Sequence, residues 1–188
     1  IGGLGFMSFT TLIAIILGKK ITLRERLILQ DAMNTFNIQG LVKMVKYVLV
    51  FTVSVQFFGA LLLSTQFIPE FGFGKGAFYS LFHSISAFCN AGFDVLGKGN
   101  SLISFNTNVV VIMVLSILII IGGLGFTVWS ELYTCKSIRR VSIHSKMVLL
   151  ITTGLVVGGT LLMFLFEHNN PQTISKMSFI NKLTNSFF

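Results

Sequence analysis

The sequence predicts an all-α integral membrane protein built from a repeated unit of span, short re-entrant helix and span. Three observations carry that expectation. Hydrophobic residues make up 53% of the 188 residues and charged residues only 11%, with a mean hydropathy of +0.85, whereas soluble domains carry roughly 25% charged residues. Three runs, Tyr47–Ile68, Asn108–Trp129 and Met147–Phe166, reach the length of about 20 mostly apolar residues that a helix needs to cross a bilayer. The hexapeptide IGGLGF occurs twice, at Ile1 and at Ile121, each time in an apolar run.

The first run, Ile1–Leu17, has no initiator Met, no basic leader and no small-residue cleavage site, so it reads as a truncated span and not as a signal peptide. The last residues, KLTNSFF, fall where an amphipathic stretch begins. The chain is therefore expected to be the middle of a longer polypeptide.

Basic residues assign the sides. Lys19, Lys20, Arg24, Arg26, Lys43 and Lys46 lie between the first two runs, and Lys136, Arg139, Arg140 and Lys146 between the last two. The connection from Thr65 to Thr107 has only Lys75 and Lys98, and the tail only Lys176 and Lys182. Because Lys and Arg favour the cytoplasmic side, residues 19–46 and 134–146 are expected inside and the other two connections outside. Within the first inner segment, Thr22 and Glu25 have capping-box spacing, which predicts a helix start there. The net charge of +8 is a topology signal. No nucleic-acid recognition module accompanies it. Cys89 falls outside and Cys135 inside, without zinc-site spacing, so both are expected as free thiols.

With this topology the two IGGLGF copies cross in the same direction, as parallel repeats do in transport proteins. SLF at Ser80–Phe82 and SFF at Ser186–Phe188 occupy matching places after an outward crossing. The chain is expected to hold the end of one unit (1–18), a second unit (47–133) and the start of a third (147–188). Gly122, Gly123 and Gly125 lack dinucleotide-fingerprint spacing, so they are expected to serve close packing or a bend. GFGKGA at Gly72–Ala77 lacks the Lys-Ser/Thr ending of a phosphate loop.

The outer connection carries the chemistry. Ala77–Phe88 would make roughly 18 Å of helix, enough to dip into a membrane but not to cross it. An extended loop, 89–95, follows. Irregular backbone at membrane depth is tolerated only inside protein or along a watery cavity. A short helix followed by such a loop suits coordination of a cation by carbonyls, with Gly92 free to adopt unusual backbone angles. The three complete spans contain no Asp, Glu, Lys, Arg or His, which removes proton relays and intramembrane ion pairs. Asp94 is open to two readings, attraction of cations at the outer mouth or ordering of the turn after Gly92. For His83 a packed, hydrogen-bonded role outweighs one on the loop wall, and His83, Ser86 and Asp94 give no sign of triad geometry.

At HSISAFCNAGFD (His83–Asp94) and IIIGGLGF the chain resembles the Trk/Ktr/HKT superfamily of potassium transporters, most of all the KtrB-type membrane subunit. The resemblance implies four span–pore helix–span units around a central pore, of which this chain holds about two. It implies that the carbonyls of Asn90, Ala91, Gly92 and Phe93 supply one quarter of a selectivity filter, with Gly92 its signature glycine. Cys89 departs from the pattern, since many relatives have Asn there. Potassium is the implied substrate, with sodium open as an alternative, and no cofactor is implied within the chain. Implied partners are membrane lipid, a second copy in a homodimer, and a cytosolic nucleotide-binding regulatory ring at the cell membrane. A non-conducting scaffold is the competing reading, and an intramembrane enzyme finds no clustered groups to support it.

Overall fold

The computed structural model describes residues 41–96, 101–134, 141–168, 170, 173–174 and 177–188. The expected first span, the cytoplasmic helix near Thr22, Lys98 and Cys135 lie outside the described residues. Among the described residues the regular structure is entirely helical: α1 (Leu41–Phe71), α2 (Phe73–Phe88), a 3-10 turn (Ser101–Phe105), α3 (Val109–Gly123), α4 (Phe126–Thr134), α5 (Ile143–Glu167) and α6 (Phe179–Phe187). Tyr47–Phe71 within α1 and Ile143–Glu167, the whole of α5, are long and apolar enough to cross a membrane.

α1 ends two residues beyond Pro69, whose missing N–H weakens the last turn. The chain then reverses at Gly72, where φ is 79°, a left-handed angle that glycine adopts without a Cβ penalty. α2 folds straight back along α1. A Cβ on Gly76 would lie 2.6 Å from the Ile68 Cα and 2.7 Å from the Phe67 carbonyl, so only glycine allows this approach. The expected start at Ala77 is thus late by four residues: α2 begins at Phe73. Of the glycines before Ala77, Gly76 is the one that packs helix against helix, and Gly72 makes the turn.

At 16 residues, α2 is roughly 24 Å long, too short to span. It lies against α1 and α3, and the three share one core of Leu63, Phe67, Ala87, Phe105, Val111, Leu115 and Leu118. Phe67 is its centre, fully buried, with the Phe105 ring edge-on at 4.9 Å and the His83 ring at 5.6 Å. Such tilted ring pairs add to plain area burial. Ser84 Oγ donates to the Gln56 carbonyl of α1 at 2.7 Å, tying α2 to α1 by a bond between two elements.

The third apolar run differs from the sequence expectation of one continuous span. It breaks at Leu124–Gly125 into α3 and α4. Gly125 has φ 82°, and the Trp129 indole N–H donates to the Ile121 carbonyl at 2.9 Å. That side chain supplies a donor where the helical ladder stops, which is how a break survives away from water. Trp129 also packs on Phe51 of α1, centroids 5.1 Å apart. The N-terminal end of α3 is capped by Asn108, whose side chain accepts from Val111 N–H and donates to Gln66 of α1 at 2.8 Å.

On α4, the Glu131 carboxylate accepts the Ser142 N–H at 3.0 Å, and Ser142 caps α5 by accepting from Ser145 N–H. α6 follows α5 in the chain as α2 follows α1. The Asn185 side chain of α6 donates to the Asn106 carbonyl at 2.7 Å, which docks α6 beside the N-terminal end of α3.

Candidate functional site

The site begins where α2 ends. Cys89 N–H donates to Ile85 O, Asn90 N–H to Ala87 O and Ala91 N–H to Ser86 O, at 2.9–3.0 Å. The last two bonds, with Asn90 at φ 51°, make a Schellman ending, in which one left-handed residue lets two N–H groups close the final turn. Asn is the residue that most often replaces glycine there. Asn90 therefore has a backbone role that its polarity alone did not announce.

The Phe88 carbonyl points toward α3 instead. A Cβ on Gly122 would fall 1.9 Å from the Phe88 oxygen and 2.8 Å from its carbonyl carbon. The second IGGLGF copy thus does both things expected of it. Gly122 seats the end of the short helix, and Gly125 bends the chain below it.

From Ala91 to Val95 the backbone has no regular structure. Gly92 takes φ 67° with nothing within 4 Å of an added Cβ, so conformation and not space demands glycine among the described residues. Asn90, Ala91, Gly92, Phe93 and Asp94 are all exposed, and Phe93 is 71% accessible despite its apolar ring. The carbonyls of Asn90, Ala91 and Gly92 accept no hydrogen bond from the described residues. Phe93 is different: Ser86 Oγ accepts its N–H and donates to its carbonyl, each at 2.9 Å.

Asp94 is held as well. Its Oδ1 accepts the Leu96 N–H at 3.0 Å and lies 2.9 Å from His83 Nε2. Burial raises the carboxyl, but the Leu96 N–H, the His83 hydrogen bond, the His83 charge and the Val95 N–H outweigh it, and the group sits below its ordinary range. The turn-ordering geometry expected of Asp94 is present. His83 is 2% exposed, packed between Phe67 and Phe82, with Nδ1 2.8 Å from the Tyr79 carbonyl. Ser86 bonds the Phe93 backbone and not the His83 ring, so no triad forms. Sequence reasoning missed the grip of His83 and Ser86 on the loop; its signal was their i, i+3 spacing on one helix face. Cys89 is a half-buried free thiol at the helix end.

Residues 1–166 match the family described as TrkH, cation transport protein. The chain belongs to that family. It is 46% identical over its whole length to the potassium/sodium uptake protein NtpJ of Enterococcus hirae, covering 41% of that protein. It is 40% identical to the Ktr system potassium uptake protein B of Bacillus subtilis and 35% to that of Vibrio alginolyticus, covering 42% and 41% of them. The chain thus spans about two-fifths of the length of these relatives. The described residues are all helical in their regular structure, and the two long apolar helices agree with a membrane protein of this family.

Proposed function

We propose that this chain forms part of a potassium uptake protein of the cell membrane, contributing one loop of a carbonyl-lined selectivity filter. Asn90, Ala91 and Gly92 present carbonyls to a dehydrated potassium ion, and Phe93 contributes its carbonyl's remaining lone pair beside Ser86. Asp94 adds negative charge at the outer mouth. The observation that carries this reading is the short helix α2, anchored on Gly122 and followed by an exposed loop with two left-handed residues and three carbonyls that accept no hydrogen bond from the described residues. Carbonyls free of protein partners are what an ion needs in place of its hydration shell. The remaining filter loops come from parts of the protein outside these residues, repeated units arranged around the pore. Two copies assemble, and a cytosolic nucleotide-binding ring gates the pathway.

The test is rubidium uptake by the complete transporter with its regulatory subunit in uptake-deficient cells, at matched membrane expression. Gly92→Ser forces a non-glycine residue into left-handed backbone, a strain of about 1–2 kcal/mol. Preference for rubidium over sodium should fall about tenfold, the equivalent of about 1.4 kcal/mol. Unchanged preference would make the loop structural only, and a wild type that moves no potassium would leave the scaffold reading standing. The name of the Enterococcus hirae relative includes sodium, which favours a second reading in which sodium shares the pathway. Sodium uptake through the same Gly92-dependent route would establish it.

A further inference from the structure

The outgoing limb of the loop is strapped from behind by two side chains one turn apart on α2. Ser86 Oγ takes the N–H and the carbonyl of Phe93, and His83 Nε2 meets the carboxylate of the next residue, Asp94. Consecutive loop residues are thereby tied to one face of a helix that is itself fixed to α1 through Ser84 and to α3 through Gly122.

The imidazole has partners on both sides that constrain its protons. Nδ1 is 2.8 Å from the Tyr79 carbonyl, which can only accept, so Nδ1 donates. Nε2 is 2.9 Å from a carboxylate oxygen, and an ionised carboxylate is acceptor-only, so Nε2 donates too. Both contacts are met together when the ring carries a proton on each nitrogen. A neutral ring breaks one of them. The packing leaves no easy escape: Phe67 of α1 and Phe82 of α2 flank the ring at 5.6 and 5.7 Å. Among the described residues, Asp94 is the charged group that pairs with it.

We propose that His83 and Ser86 are positioning residues for ion selection: they hold Phe93 and Asp94 so that the carbonyls of Asn90 to Gly92 keep one direction, and the His83–Asp94 half of this strap depends on a proton. This rests on the filter reading above. A limb released at one end lets the carbonyls follow ions of other sizes, so the expected consequence is lost discrimination before lost flux.

The experiment measures rubidium uptake with and without competing sodium, in the complete transporter with its regulatory subunit, at external pH of about 6 and about 9. In the wild type, preference for rubidium falls about fivefold at the alkaline pH, as a charge-assisted bond is lost. In Asp94→Asn the atom in the place of Oδ1 can accept the Leu96 N–H or donate to a neutral Nε2 but not both, and no charge-assisted bond to His83 remains for a change of pH to remove. Its preference becomes independent of pH, although its affinity at low salt drops with the lost charge. Ser86→Ala lowers preference about tenfold at both pH values, and Ser86→Thr, which keeps the hydroxyl, restores most of it.

The proposal is overturned by a wild-type preference that does not vary with pH, by the same pH dependence in Asp94→Asn, or by wild-type preference in Ser86→Ala. Gly92→Ser, run in parallel, separates the two levels. If Gly92→Ser alone loses selectivity, the strap is wrong and the filter reading stands. If Gly92→Ser is silent as well, the filter reading has failed.

Discussion

α1 and α5 contain apolar spans of equal length, 25 residues each, yet 28% of the most apolar stretch of the first is buried among the described residues and none of the second. Hydropathy does not separate them. Their close-approach sites do. On α1 a Cβ at Gly59 would lie 2.8 Å from both Leu118 Cδ1 and Ser84 Oγ, so three helices meet there. On α5, Gly154, Gly158 and Gly159 have nothing within 4 Å, and Leu150, Leu155, Leu165 and Phe166 are all more than 70% exposed. Lipid tails are as apolar as leucine, so helices in a membrane associate through close packing and hydrogen bonds and not through hydrophobicity. What gathers α1, α2 and α3 is therefore glycine and serine placed where backbones touch.

The strongest way to break this comparison is at the seat of α2. Gly122→Ala puts a methyl group 1.9 Å from the Phe88 oxygen, a backbone atom that cannot rotate away, and should cost about 3 kcal/mol or more. Thermal unfolding in detergent, followed by the loss of monodisperse protein, measures it. The adjacent Gly123→Ala is the control, since its nearest neighbour is Asn90 Nδ2 at an ordinary 3.7 Å. Helix propensity favours that change by up to about 1 kcal/mol. Equal losses at both positions would mean that α3 does not rest on α2 through Gly122.

Gly59→Ala is a milder break. The atoms it meets are the ends of Leu118 and Ser84 side chains, which can shift by changing rotamer. The expected cost is about 1–2 kcal/mol. A double substitution with Leu118→Val should recover part of it, because the obstructing methyl retracts. No recovery would place the clash elsewhere.

The long apolar elements were legible because their run lengths are set by bilayer thickness, and the loop because glycine and polar residues interrupt an outer apolar stretch. What escaped was decided by groups distant in sequence. Gly72 to Gly76 read as a loop because nothing local shows that Ile68 lies against Gly76. A bend at the glycines was legible, but the bond from Trp129 to Ile121 that accompanies it crosses eight residues and was not. His83 and Asp94 are eleven apart and meet only because Asn90 and Gly92 both turn left-handed between them. The motif HSISAFCNAGFD marked the right stretch through its family resemblance, but the work of His83 and Ser86 belongs to the turn geometry.

The smallest expected effect tests the other side of the comparison. Gly154 and Gly158 on α5 have the G-x-x-x-G spacing that lets membrane helices approach closely, but among the described residues the space beside both is open. Open space and a helical position make alanine favourable through propensity alone, by up to about 1 kcal/mol. Gly158→Ala in the complete transporter should therefore leave unfolding in detergent unchanged or slightly improved, and in every case cost less than Gly59→Ala. A loss equal to that of Gly59→Ala would move α5 into the class of α1. It would mean that an element outside these residues lies with its backbone against Gly158, and cross-linking from a cysteine placed at Leu155, exposed on α5, would then find it.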